Sequence, residues 1–275
     1  MTAETTPTTL TLREVAEHLD VHYMTAYRYV RLGMLPATQN GRTWVVRSDD
    51  LEAFKEAPPT STPRGDADWT GRLTARMLEG DTAGAWAVTE AALASGMTTR
   101  SAYTDMIVPA LRDVGERWES GELDVAREHA ASQVAGRLVA RLGSHMGRRG
   151  IPRGTVVIGS TATELHGLPV SIAADLIRDA GYRVLDLGVN LPPGSFADTI
   201  AQMTDVHAVA ISVTTPGQQD AIADTINAIR DVSDVPIIVG GAGVTAEQAR
   251  GAGADGHAET IEDAVAHFEA LRSTQ

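Results

Sequence analysis

The sequence predicts a multidomain chain of α and α/β class. A winged helix-turn-helix comes first, then a four-helix bundle, then a doubly wound parallel sheet. Three observations predict it. The hydrophobic period is helical up to about residue 147 and changes from residue 150 to short β-branched runs that alternate with helical stretches. A segment rich in proline, serine and threonine, "PPTSTPRGD" at residues 58–66, cuts the first helices off from the rest. Residues 21–47 contain Arg28, Arg31, Arg42 and Arg47 and no acid, although the whole chain carries a net charge of −13. Composition bounds the chemistry. With no cysteine among 275 residues, disulfides, thiolate metal sites and thiol nucleophiles are excluded. No apolar stretch is long enough to cross a bilayer, and "MTAETTPTTL" lacks the basic and apolar regions of a signal peptide, so a cytoplasmic protein that meets no membrane is expected.

Residues 1–9 form a polar, Thr-rich tail expected to be disordered. In the domain at 10–57, Leu12, Val15, Ala16 and Leu19 share one helical face, with Thr11 as N-cap. Asp20, Val21 and His22 are expected to form the turn, and a second helix runs from about Tyr23 to Gly33, before Pro36. The Asn40-Gly41 pair followed by the β-rich Thr43 to Val46 predicts a hairpin or wing, and Ser48 opens another short helix. After the linker at 58–66, residues 67–149 read as four helices with Gly-containing breaks. Residues 150–275 then hold "TVVIGS", "RVLDLGV", "AVAISVTT", "PIIVGGAG" and "ADGHAET", five short strand-like runs separated by helices, with "IEDAVAHFEAL" as the last helix. Such a sheet keeps its ligand at the C-terminal ends of the strands.

The loop after the first of these strands contains Glu164 and His166. A carboxylate beside an imidazole holds one ring nitrogen and makes the other a better metal ligand. The third strand ends at Ser212-Val213-Thr214 and the fourth at Gly240-Gly241, which offers two hydroxyls and a close backbone approach at neighbouring strand ends. Taken singly, each feature also fits a plain surface loop or a tight turn. Together, with 42 residues between Pro169 and Ser212 and 25 between Thr214 and Gly240, the series resembles base-off, His-on cobalamin-binding domains of flavodoxin-like fold, whose pattern is D-x-H-x-x-G, S-x-L or S-x-T, then GG. The resemblance implies His166 as the lower axial ligand of cobalt, with Ser212, Thr214, Gly240 and Gly241 lining the slot for the displaced nucleotide tail. Two positions depart from the pattern. Glu164 replaces Asp and keeps the acceptor, whereas Pro169 replaces Gly and bears on the shape of the loop.

Upstream, Trp118 precedes Glu128-His129 with nine residues between. This W-x9-E-H spacing matches the bundle that covers the upper corrin face in cobalamin-dependent photoreceptor regulators of the CarH type. A core tryptophan and a solvated Glu-His pair are the plain alternative, since neighbouring helical side chains point in different directions. The resemblance implies that Trp118 packs over the upper axial group, that Glu128 hydrogen-bonds an adenosyl group, and that Val125 and His129 line the same pocket. Where these photoreceptors often carry a histidine after the tryptophan, which ligates cobalt once light removes the adenosyl group, this chain has Glu119. Residues 10–55 resemble helix-turn-helix domains of the MerR and excisionase types. Tyr23, Thr25, Arg28 and Arg31 are then candidates for base and phosphate contact, and Arg42 and Arg47 for the DNA backbone.

The resemblance as a whole implies a transcriptional regulator, a repressor by expectation and not an enzyme, that responds to light or to cobalamin. It would use adenosylcobalamin as chromophore, self-associate as a dimer or tetramer and bind promoter DNA. Two alternatives compete with it: a corrinoid carrier for methyl transfer, and a regulator that senses cobalamin or another tetrapyrrole without this photochemistry. The DNA-binding head speaks against the carrier.

Overall fold

The computed structural model describes residues 9–19, 26–27, 29–30, 35–40, 43–56, 68–144, 146–147 and 150–272. The chain forms two compact units, the larger made of Trp69–Leu93 and everything from Met97 onward.

In the smaller unit, β1 (Thr9–Thr11) leads directly into α1 (Leu12–His18). Thr11 caps α1 with a capping box: its hydroxyl accepts from the Glu14 N–H, and the Glu14 carboxylate accepts from the Thr11 N–H at 2.7 Å. Thr9, assigned by sequence to the tail, is the first residue of β1. β2 (Thr38–Asn40) and β3 (Thr43–Arg47) pair antiparallel in the register Thr38↔Val45 and Asn40↔Thr43, as the Asn40-Gly41 signal predicts. β1 joins the other edge of β3, giving the order β1-β3-β2. α2 (Ser48–Glu56) follows without a break. Leu12, Val15, Ala16, Ala26, Val30, Leu35, Val46 and Leu51 form the core. The expected turn at 20–22 and most of the expected second helix lie outside the described residues.

The larger unit begins with helices. α3 (Trp69–Leu78), α4 (Thr82–Ala94), α5 (Thr99–Ser101), α6 (Val108–Glu119) and α7 (Val125–Gly143) surround a core that includes Leu73, Met77, Tyr103, Met106, Ile107, Leu138 and Leu142. The sequence reads residues 100–121 as one helix. The structure instead inserts a π-helical turn, Ala102–Ile107, between α5 and α6. The wider turn carries Tyr103, Met106 and Ile107, all fully buried.

Five parallel strands follow, β4 (Thr155–Ser160), β5 (Arg183–Asp186), β6 (Val206–Ser212), β7 (Ile237–Gly240) and β8 (Gly256–Ala258), in the order β5-β4-β6-β7-β8. Relative to the first strand this is the 2-1-3-4-5 order of doubly wound sheets, with the switch point between β4 and β6. The connecting helices are α8 (Gly167–Asp179), α9 (Pro193–Ala201), α10 (Gln219–Arg230) and α11 (Ala246–Gly251), and α12 (Ile261–Arg272) closes the chain. β4 is buried along its whole length, because both sheet faces are covered.

α7 and α8 lie side by side. A Cβ on Gly136 would touch Leu168 at 3.8 Å, and one on Gly143 would collide with the Asp175 carboxylate. Both helices advance seven residues between these contacts, so they run parallel. α7 therefore overhangs the start of α8 by about ten residues, or roughly 15 Å of helix. The far end of the pair is polar. The Tyr103 hydroxyl lies 2.7 Å from the Asp175 carboxylate and 3.1 Å from the Val139 carbonyl, and Arg178 pairs with Asp175 at 2.8 Å. Beside it, Arg100 pairs with Asp179 at 2.8 Å and with Glu262 at 3.0 Å. A cavity of about 390 Å³ runs along the seam, with Gly136, Ala140 and Gly143 on one wall and Gly167, Ser171 and Asp175 on the other.

Candidate functional site

β4 ends at Ser160, and residues 161–166 form the loop that leads to α8, with His166 as its N-cap residue. Pro169 lies in the first turn of α8, where no intrahelical partner exists for a backbone N–H, so it costs no helical hydrogen bond. Its departure from the glycine of the pattern leaves the loop intact.

Glu164 is 1% exposed and is the centre of the site. Its Oε1 lies 2.6 Å from His166 Nδ1, accepts the His166 backbone N–H at 3.0 Å and accepts the Thr215 hydroxyl at 3.3 Å. Its Oε2 accepts the backbone N–H groups of Thr214 and Thr215, both at 2.7 Å. Burial alone would raise this carboxyl, but the N–H groups of Thr215, His166 and Thr214 and the imidazole outweigh it and pull the pKa down to about 2. The group is an anion whose acceptor sites are filled. His166 Nδ1 must then be the donor, which leaves the lone pair on Nε2. The His166 side chain is 60% exposed, so that lone pair is open to a ligand.

Ser212 and Gly240 are ladder partners at the ends of β6 and β7. The glycines serve the protein's own backbone: a Cβ on Gly240 would sit 2.6 Å from the Ala258 carbonyl, and one on Gly241 (φ 116°) would collide with the Val213 carbonyl. Among the described residues the Ser212 and Thr214 hydroxyls have no hydrogen-bond partner, whereas the Thr214 N–H is committed to Glu164. Sequence reasoning missed two residues. Thr215, one past the S-x-T pattern, makes two of the five bonds to Glu164 and brings its hydroxyl 3.4 Å from His166 Nδ1. Gly243 packs against Thr214 and Thr215 so closely that a Cβ would lie 2.6 Å from their backbone. A second hydroxyl directly after Thr214 and a third glycine after the pair are the signals that could have marked them.

On the helical side, Trp118 is 47% exposed on α6 and Val125 is 57% exposed at the start of α7, so neither is a core residue. Glu128 accepts from the Ser132 hydroxyl at 2.6 Å, and its other oxygen lies 2.8 Å from His129 Nδ1. The adjacent pair does meet, contrary to the expectation that neighbouring helical side chains diverge, because the exposed imidazole folds back along the helix. Glu119 ends α6 and is exposed. Among the described residues no hydrogen bond or ion pair joins Trp118, Val125, Glu128 and His129 to the His166 group. The α7 overhang places Glu128 and His129 about 10 Å along the helix axis beyond the level of Leu168. Leu165, beside His166, is also exposed.

Of the candidate DNA contacts, Tyr23, Thr25, Arg28, Arg31 and Arg42 lie outside the described residues. Arg47 ends β3, is exposed, and lies 3.3 Å from Asp49. An exposed pair of this kind is weak enough to exchange for a phosphate.

Comparison with known proteins matches residues 70–142 and residues 154–266 each to a B12 binding domain, and residues 9–58 to a helix-turn-helix domain. The trimethylamine corrinoid protein of Methanosarcina barkeri is 29% identical over 66% of this chain and 87% of its own length. The HTH-type transcriptional repressor CarH of Myxococcus xanthus is 34% identical over 54% of this chain and 49% of its own length. Among solved structures, the monomethylamine corrinoid protein of Methanosarcina barkeri has a TM-score of 0.59 at 20% identity, covering 74% of this chain and 98% of that one, a likeness of fold. Among the described residues no helix is long and apolar enough to cross a membrane. The chain joins an N-terminal helix-turn-helix domain to two successive B12-binding domains, the first helical and the second built on a parallel sheet.

Proposed function

We propose that the protein is a transcriptional regulator, a repressor, whose affinity for promoter DNA is set by adenosylcobalamin and by light. The observation that carries this reading is the union of a helix-turn-helix domain with B12-binding domains in one chain. The residues fit the cofactor. Glu164 fixes the His166 tautomer and leaves one imidazole nitrogen for a metal that brings its other donors with it. The Ser212 and Thr214 hydroxyls stand at the strand ends where a nucleotide tail would enter. Bound adenosylcobalamin would supply a cobalt–carbon bond that green or shorter-wavelength light breaks.

The chain's own residues do the rest. His166 would hold the metal, and Trp118 and Val125 would cover the reactive group and exclude water. Glu128, oriented by Ser132, would hold the adenosyl group, with His129 on the same wall. A cap ordered in this way favours self-association of a four-helix bundle, and several winged heads held together bind DNA far better than one through effective concentration. Tyr23, Thr25, Arg28 and Arg31 would read the operator, with Arg42 and Arg47 on phosphates. Glu119 supplies no imidazole, so position 119 cannot lock the illuminated state.

A carrier for methyl transfer is the second reading, favoured by the likeness to the trimethylamine corrinoid protein. One experiment separates them. Purified protein loaded with adenosylcobalamin is assayed for its absorption spectrum and for retardation of its own promoter fragment, dark and illuminated. The regulator reading expects dark binding that light abolishes. Absence of DNA binding in every state would leave the carrier.

A further inference from the structure

Two non-glycine residues of the described chain have left-handed backbones, Thr163 (φ 72°) and Asn190 (φ 56°), and they are bonded to each other. Asparagine tolerates this region, but for a β-branched threonine it is a genuine outlier that persists only when its surroundings hold it. Asn190 does the holding. Its side-chain Oδ1 accepts the Thr163 N–H at 2.9 Å, and its own N–H donates to the Glu164 carbonyl at 3.0 Å. One residue of the β5–α9 loop thus grips the Thr163–Glu164 segment at both ends, at the Thr163 N–H and at the Glu164 carbonyl. The neighbouring backbone supports the grip, since Ser160 donates to the Gly188 carbonyl at 3.0 Å, and Thr161 and Leu191 form an isolated parallel bridge.

From these contacts we infer that Asn190 is a positioning residue for the metal ligand: by holding Thr163 in its left-handed turn it aims the Glu164 carboxylate, and through it the His166 imidazole. The inference rests on the reading of His166 as the cobalt ligand. Its chemistry is that of an outer-shell partner, whose loss weakens metal-ligand affinity without removing a donor. The left-handed turn at Thr163 sends the chain back toward β6, where the carboxylate meets the Thr214 and Thr215 N–H groups. Without the grip, Thr163 relaxes toward an ordinary φ, and the peptide before Glu164 turns with it.

The test uses the full chain bound to cobalamin in its cob(II) form, read by electron paramagnetic resonance with ¹⁵N-histidine labelling. The splitting from an axial nitrogen then changes only when that nitrogen belongs to the protein. Asn190→Gly keeps the left-handed backbone and removes the acceptor. It is expected to lose part of the histidine-derived splitting and to weaken binding about tenfold. Asn190→Asp, which keeps the acceptor, is expected to retain both. Thr163→Gly takes φ 72° without strain, so Asn190→Gly combined with Thr163→Gly is expected to recover the splitting. Full splitting in Asn190→Gly alone would overturn the inference, and so would failure of Thr163→Gly to restore it. His166→Ala is the reference. If it too keeps the labelled splitting, the ligand reading itself fails, whereas loss in His166→Ala with none in Asn190→Gly refutes only the role of Asn190.

Discussion

At the scale of single residues, the site depends on the reach of one carboxylate. Glu164 spans from the loop after β4 to the backbone of Thr214 and Thr215 after β6, so the acid in place of the pattern's Asp has a consequence. Shortening it by one methylene, about 1.5 Å, should break the Thr214 and Thr215 bonds or the His166 bond. Glu164→Asp is therefore expected to bind cobalamin more weakly than wild type, measured by titration of the bound spectrum. The same carboxylate shapes the acid limb of stability in the cofactor-free protein. Its pKa is depressed from 4.5 to about 2, so its contribution is complete above the unfolded value and is lost as pH falls from about 4.5 toward 2. Glu164→Gln should show a flatter fall of urea stability across that window. An equally steep fall would mean that other carboxylates govern it. For His166→Ala, the bound spectrum should lose its imidazole-ligated form, and an unchanged spectrum would refute the assignment. Glu119→His tests the upper face: it should create a bis-imidazole spectrum on illumination that the wild type lacks.

At the scale of elements, α8 links the site to the seam with the helical region. His166 stands at its N-terminus, and Asp175, two turns further on, is held by Tyr103 from the π-helical turn. Tyr103→Phe deletes a buried hydroxyl bond and should cost about 1–2 kcal/mol of stability, read from the urea midpoint. How much of this could be read from sequence follows from which forces are local. β4, β6 and β7 were legible because parallel strands buried on both faces demand apolar, β-branched runs. Glu164, His166 and the Gly240-Gly241 pair were legible because short-range spacing fixes them to strand ends. The π-turn at Ala102–Ile107 was not, since its apolar residues also fit an ordinary helix and only packing around Tyr103 separates the two. Thr215 was not, because its shorter bond comes from a backbone N–H that every residue owns and its hydroxyl falls one position past the S-x-T pattern. β1 was hidden by its threonines, which read equally as tail or strand until β3 is beside them.

At the scale of the whole molecule, a net charge of −13 and an acid-free stretch holding four arginines imply that any DNA contact is local. Arg42→Ala should weaken binding evenly across sequences and lower the salt slope by about one, whereas Arg28→Ala should also relax sequence preference. Both are read by fluorescence anisotropy over a salt series. The parallel run of α7 along α8 has a mechanical consequence. Its small, polar seam around Gly143 and Asp175 is one end of a rod, and His129 is 14 residues away at the other, about 21 Å along the axis. A tilt of about 5° at the seam would move that end by about 2 Å. Such a tilt would be felt at the base by Tyr103, which bonds both the Val139 carbonyl of α7 and the Asp175 carboxylate of α8.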